Sequence, residues 1–121
     1  LDCLNGYLLL GESLLKEKKE FAQAWNFGPN KSGNLKVIDV MKMIAAKWEG
    51  VSYEIQQSTN LHEANLLFLN NLKAKRHLNW RPVWGVKKSI FETMEWYKVF
   101  QESRQIISED QIKKFMTDCN S

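Results

Sequence analysis

Val86, Ile90, Phe91, Met94, Tyr97 and Phe100 recur at the spacing of one helix face, while Lys87, Lys88, Glu92, Glu95 and Lys98 fall on the other side. This is the longest amphipathic pattern in the chain, and it commits residues 86–100 to a helix whose apolar stripe packs against other elements. The rest of the sequence has to supply those elements. Hydrophobic residues make up 44% and charged residues 26% of the 121 residues, an ordinary balance for a folded domain. A chain of this length fits one domain or part of a larger one, and buries a smaller share of its surface than a large protein does.

Three further helices and a short fourth are legible. Leu1, Leu4, Leu8, Gly11 and Leu15 keep helical spacing from Leu1 to about Lys18. Asp2 is placed to cap that helix, and Gly11 to allow close packing. Val37, Val40, Met41, Ile44, Ala45 and Trp48 form a second stripe, closed by Gly50 in the left-handed geometry of a helix end. Asn70 opens a short helix carrying Leu72, Ala74 and Leu78, and Asn79 is expected to end it in the left-handed region. Ser108-Glu109-Asp110-Gln111 reads as a capping box, with Ile107 and Ile112 as a hydrophobic staple. Ile112, Phe115 and Met116 are the expected inner face of that last helix.

Between the helices lie short runs with strand character. Residues 24–29 alternate and then break at Gly28-Pro29, residues 51–55 alternate with period two, and Leu66-Leu67-Phe68-Leu69 is a continuous apolar run. The expected fold class is therefore α/β, a small mixed lobe with short strands and about five helices over residues 1–121. No linker, repeat or composition shift marks a second domain.

The net charge of +3 tolerates an anionic ligand such as a nucleotide diphosphate, but falls short of a nucleic-acid binder's basic footprint. Cys3 and Cys119 stand at opposite ends and read as free thiols in a reducing, cytoplasmic setting. No metal-ligand spacing involves them, and the apolar run at residues 7–10 is too short to span a bilayer. The chain begins with Leu1, not Met, which accords with a piece of a longer polypeptide.

Catalytic motifs do not emerge. Glycines 6, 11, 28, 33, 50 and 85 never form G-x-G-x-x-G. None of the tyrosines 7, 53 and 97 is followed by lysine four positions on, and the two histidines support no Ser-His-Asp arrangement. His62-Glu63 is a polar pair in a loop before an apolar run, a common place for ligand contacts. It also suits a merely solvated loop. Of five tryptophans, Trp25, Trp48 and Trp96 read as core. Trp80 and Trp84 flank Arg81-Pro82 and read as turn packing rather than base stacking. Lys73, Lys75, Arg76 and Arg81 spread around more than one face and read as solvated surface.

The segment from Lys73 to Pro82, K-A-K-R-H-L-N-W-R-P, resembles the K-A-x-x-x-L-G-W-x-P signature of extended short-chain dehydrogenase/reductases acting on nucleotide sugars. Thr93-Met94-Glu95-Trp96-Tyr97 resembles the T-V-x-W-Y that follows it there. Ala24-Trp25-Asn26-Phe27-Gly28 is similar to the family's Y/W-N-x-G strand, and Leu1-Asp2 to the tail of a V-x-D motif. Within the family the likeness is to the CDP-glucose 4,6-dehydratase branch, through G-Y-L-L-L at residues 6–10, A-W-N-F-G-P at 24–29 and His62-Glu63-Ala64. Asn79 stands for the usual Gly and Asn70 for the usual Asp. Ala64, Asn65 and Leu66 stand where dTDP-glucose dehydratases carry arginines, which points away from that branch.

The resemblance implies a C-terminal substrate-binding lobe of a lyase that converts CDP-glucose to CDP-4-keto-6-deoxyglucose for surface polysaccharide such as lipopolysaccharide. It implies NAD bound by a separate N-terminal Rossmann domain as the lobe's partner, a homo-oligomeric full-length enzyme, and a lobe that is inactive alone. By the same resemblance His62, Glu63 and Asn65 line the substrate pocket, and no residue here is catalytic. The rival readings are a lobe of another nucleotide-sugar epimerase or dehydratase, and a freestanding non-catalytic binding module.

Overall fold

The computed structural model describes residues 1–55 and 68–120. Five α-helices appear among them: α1 (Asp2–Leu15), α2 (Val37–Ala45), α3 (Leu72–His77), α4 (Val86–Ser103) and α5 (Ser108–Cys119). Single 3₁₀ turns occupy Lys19–Phe21 and Lys31–Gly33. The described residues contain no strand, which corrects the expected α/β class. An alternating sequence becomes a strand only when a neighbouring edge takes up its N–H and C=O groups. Residues 24–29 run without secondary structure and have their carbonyls met by side chains instead. Lys73 Nζ donates to Ala24 O at 2.9 Å, Cys3 Sγ to Phe27 O at 3.3 Å, and Asn71 Nδ2 to Gly28 O at 2.9 Å. Residues 51–55 and 68–69 are likewise irregular, while Leu66 and Leu67 lie outside the described residues.

The core is small and aromatic. Phe27, Ala74 and Trp80 are buried together, with Leu9, Leu10, Trp25 and Leu78 packed around them. Phe27 meets Tyr7 edge-on at 5.4 Å and Trp80 edge-on at 5.2 Å between ring centroids. A second cluster joins Trp84 to Phe115 of α5, again edge-on at 5.2 Å. The tryptophans expected in the core are only half-buried, whereas Trp80 and Trp84 in the turn are buried.

α1 turns the opposite way from the expectation. Gly6 is its buried residue, and Leu9 and Leu10 pack on the core. Leu4, Leu8 and Leu15 point outward at 58%, 73% and 87% exposure. The helix is apolar nearly all round, so periodicity alone leaves its orientation open. The Phe27 ring decides it by lying directly on Gly6.

Asn79 follows the end of α3 with φ +50°, as expected. The other end-of-helix assignments shift. Leu72 N–H donates to Asn70 Oδ1 at 3.0 Å, but the cap position of α3 is Asn71, one residue later. α2 ends at Ala45 with Ala46 in right-handed geometry, so Gly50, at φ +84°, takes its left-handed geometry beyond the helix end. α5 has no side-chain cap: Ser108 Oγ accepts from Trp96 Nε1 at 2.8 Å, and Gln111 Nε2 donates to Glu92 O at 2.6 Å. The would-be capping box therefore ties α5 to α4. Glu92, expected on the solvent side, is buried and paired with Lys114 of α5. Phe115 is buried, while Ile112 and Met116 remain exposed.

Candidate functional site

A cleft of about 560 Å³ opens between the start of α1, the Gly28-Pro29 turn, α2 and α4. Its walls are mainly apolar: Val40 and Ile44 of α2, Trp48, Trp84, and Ile90, Met94 and Tyr97 of α4. A neighbouring depression of about 410 Å³ shares the Pro29, Pro82, Trp84 and Val86 walls and is lined by Asn30, Ser32, Lys87 and Lys88. A Cβ on Gly33 would sit 2.6 Å from Val86 Cγ2, so glycine lets the 31–33 turn lie close against the first turn of α4.

Trp84 divides the two spaces and is held by both ends of the chain. Asp2 was expected to cap α1, but α1 has no side-chain cap. The Asp2 carboxylate instead accepts from Val83 N at 2.6 Å and Trp84 N at 3.3 Å, and Asp2 O accepts from Trp80 Nε1 at 3.0 Å. Asp118 of α5 accepts from Trp84 Nε1 at 2.6 Å and from Lys88 Nζ at 2.7 Å. The Lys88 hydrogen bond, then that of Trp84, holds the Asp118 carboxyl below the usual carboxylate range. Burial, with Asp2 and Asp118 nearby, pushes the Cys119 thiol up. Both cysteines are free thiols, as expected.

Chemically, the cleft offers an apolar wall with the Ser89, Thr93 and Tyr97 side chains along it. The depression presents the first turn of α4, which has no side-chain cap, beside Lys87. Uncapped amides at a helix start favour a negative group. The carboxylate within the cleft, Asp2, is already committed to backbone amides. Among the described residues no group of three or more His, Cys, Asp or Glu is gathered in a way that could hold a metal ion, and no helix is long and apolar enough to cross a membrane.

His62, Glu63 and Asn65, the site residues expected from sequence, lie outside the described residues. The cationic residues of α3 act locally. Lys73 also donates to Gln23 Oε1 at 2.8 Å and lies 4.4 Å over the Trp25 ring, and Lys75 donates to Asn30 Oδ1 at 2.6 Å. Sequence reading missed Asp118 and Lys88 as supports of the cleft wall. Their partners lie 34 and 30 positions away, and no local spacing signals such a pair.

No protein-family model matches the chain. It is similar to the CDP-glucose 4,6-dehydratase of Salmonella typhimurium, at 30% identity over 121 residues that cover 97% of this chain and 33% of that protein. The chain spans about a third of the length of this relative, and the match bears out the resemblance read from the motifs.

Proposed function

We propose that this chain, related in sequence to a sugar-nucleotide dehydratase, is the lobe that binds the nucleotide sugar in a CDP-glucose 4,6-dehydratase. In that role it serves the loss of water from CDP-glucose to give CDP-4-keto-6-deoxyglucose, and it stands C-terminal to a Rossmann domain. The observation that carries this reading is the match over 97% of the chain. His62, Glu63 and Asn65 line the nucleotide end of the ligand, through hydrogen bonds to hydroxyl, base or phosphate. The uncapped first turn of α4 beside Lys87 is a described place whose chemistry suits the diphosphate. A net charge of +3 adds to the attraction.

The described residues do not fit NAD. A dinucleotide's pyrophosphate sits on a strand, Gly-rich turn and helix. The segments next to the glycines run as helix, turn or irregular chain, and no strand occurs among the described residues. In this reading another part of the enzyme holds the dinucleotide, and no step of the reaction is assigned to residues here.

Two measurements on the purified chain test the reading. Calorimetry with CDP-glucose should give saturable binding, and incubation with CDP-glucose and NAD should give no 4-keto product. Product formation would overturn the division of labour. Absence of binding to CDP-glucose, with binding to some other nucleotide sugar, would move the chain to a different dehydratase or epimerase.

A further inference from the structure

α5 is fastened to the domain mainly by polar contacts. Phe115 is its buried residue, while Ile112 and Met116 are 46% and 60% exposed. Toward α4, Ser108 Oγ accepts from Trp96 Nε1, Gln111 Nε2 donates to the Glu92 carbonyl, Lys114 pairs with the Glu92 carboxylate, and Asp118 pairs with Lys88. Toward the 80–84 turn, the Phe115 ring meets Trp84 edge-on and Asp118 accepts from Trp84 Nε1. Residues 104–107, which join α4 to α5, carry no regular secondary structure, and 104–106 are exposed. One buried ring and a few ion pairs open to water hold a helix far less firmly than a packed apolar face does. Detached, a helix of 12 residues is marginal in water and its amides lose their protection.

We propose that α5 is a detachable strap, which opens as a unit while α1 to α4 stay folded, and whose opening frees the indole of Trp84. The backbone of Trp84 stays in place, because Asp2 at the start of α1 accepts from its N–H. The ring is held differently. Its edge rests on Phe115 and its Nε1 on Asp118, both of α5, and Lys88 Nζ lies 5.3 Å from its centroid. Lys88 is itself tied to Asp118, so the loss of α5 loosens every one of these contacts together. Trp84 lines both the cleft and the neighbouring depression. The strap therefore sets whether the two spaces are divided by the ring or joined. Trp80 is the built-in contrast: its Nε1 donates to Asp2 O, so it keeps its partner when α5 leaves. This inference does not depend on the nucleotide-sugar reading.

Hydrogen exchange of the chain, read by NMR at a series of urea concentrations below unfolding, tests it. The amides of Phe115 and Asp118 and the Trp84 Nε1–H should exchange together. They should do so at least about tenfold faster than the amides of Leu9 in α1 and Ile90 in α4, and with a smaller urea dependence, because a local opening exposes little surface. The Trp80 Nε1–H should stay with the slow group. Raising NaCl from about 0.05 to about 0.5 M screens the ion pairs and should speed the α5 group about threefold. Lys114→Gln should speed it about tenfold and leave Leu9 and Ile90 unchanged. Exchange of Phe115 and Asp118 at the rate and urea dependence of Ile90 would overturn the proposal, and so would Lys114→Gln speeding all groups equally. A Trp84 Nε1–H as slow as that of Trp80 would show that α5 does not hold the ring. An α5 rate unmoved by both salt and Lys114→Gln would contradict a polar fastening.

Discussion

Gly6→Ala and Gly11→Ala are the same change on the same helix, yet they should move stability in opposite directions. Each removes a glycine from a helix interior, which favours folding by about 1 kcal/mol. At Gly11 nothing lies within 4 Å of the new methyl, so that gain should survive. At Gly6 the methyl would sit 2.3 Å from Cδ1 and 2.6 Å from Cε1 of Phe27. The ring cannot easily retreat, because Tyr7 and Trp80 hold it edge-on from two sides. Overpacking of this kind costs about 3 kcal/mol, leaving Gly6→Ala about 2 kcal/mol less stable than the native chain. The two variants should then differ by about 3 kcal/mol, or on the order of 10 °C in melting temperature. Thermal and urea unfolding followed by circular dichroism, at chain concentrations too low for association, reads both. Adding Phe27→Leu to Gly6→Ala should recover part of the loss relative to Phe27→Leu alone. If Gly6→Ala proves as stable as Gly11→Ala, Phe27 does not lie on α1 as described.

Two further predictions concern the ends of the chain that hold Trp84. The folded-state value of Asp118 is depressed, so its ion pair contributes stability above the ordinary carboxylate value of 3.8 and loses it as pH falls through the lower folded value. Asp118→Asn should therefore be less stable than the native chain at pH 7 and lose less of its stability between pH 5 and pH 2, as read by urea midpoints across that range. The Cys119 thiol, raised first by burial and then by Asp2 and Asp118, should alkylate slowly with iodoacetamide at pH 8, and Asp118→Asn should speed it.

The helices were legible because each declares itself locally. The α4 stripe, the turn from Asn70 to Leu72 that leads into α3, and the positive φ of Asn79 and Gly50 all follow from neighbours a few positions apart. What was not legible depends on distant partners. Asp2 could be placed at a helix start, but not beside the amides of Val83 and Trp84. Ser108 and Gln111 have capping-box spacing, yet Trp96 Nε1 and the Glu92 carbonyl engage them first. The alternation in residues 24–29 and 51–55 carries strand propensity without the neighbouring edge that would make a ladder. Trp80 and Trp84 look like turn residues from their Arg-Pro surroundings, but the turn itself is folded into the centre of the domain. At the candidate site the cleft walls come from four separate segments, so nothing in the linear order brings Pro29, Ile44 and Trp84 together.

The nucleotide-sugar reading is tested most directly by an amide NMR titration of the chain with CDP-glucose, run beside dTDP-glucose and free glucose. Saturable shifts should appear at His62, Glu63 and Asn65 and at the first turn of α4 with CDP-glucose, with weaker or absent shifts for the other two. A spectrum unmoved by CDP-glucose at millimolar concentration, or one moved equally by all three sugars, would contradict a CDP-glucose-binding lobe.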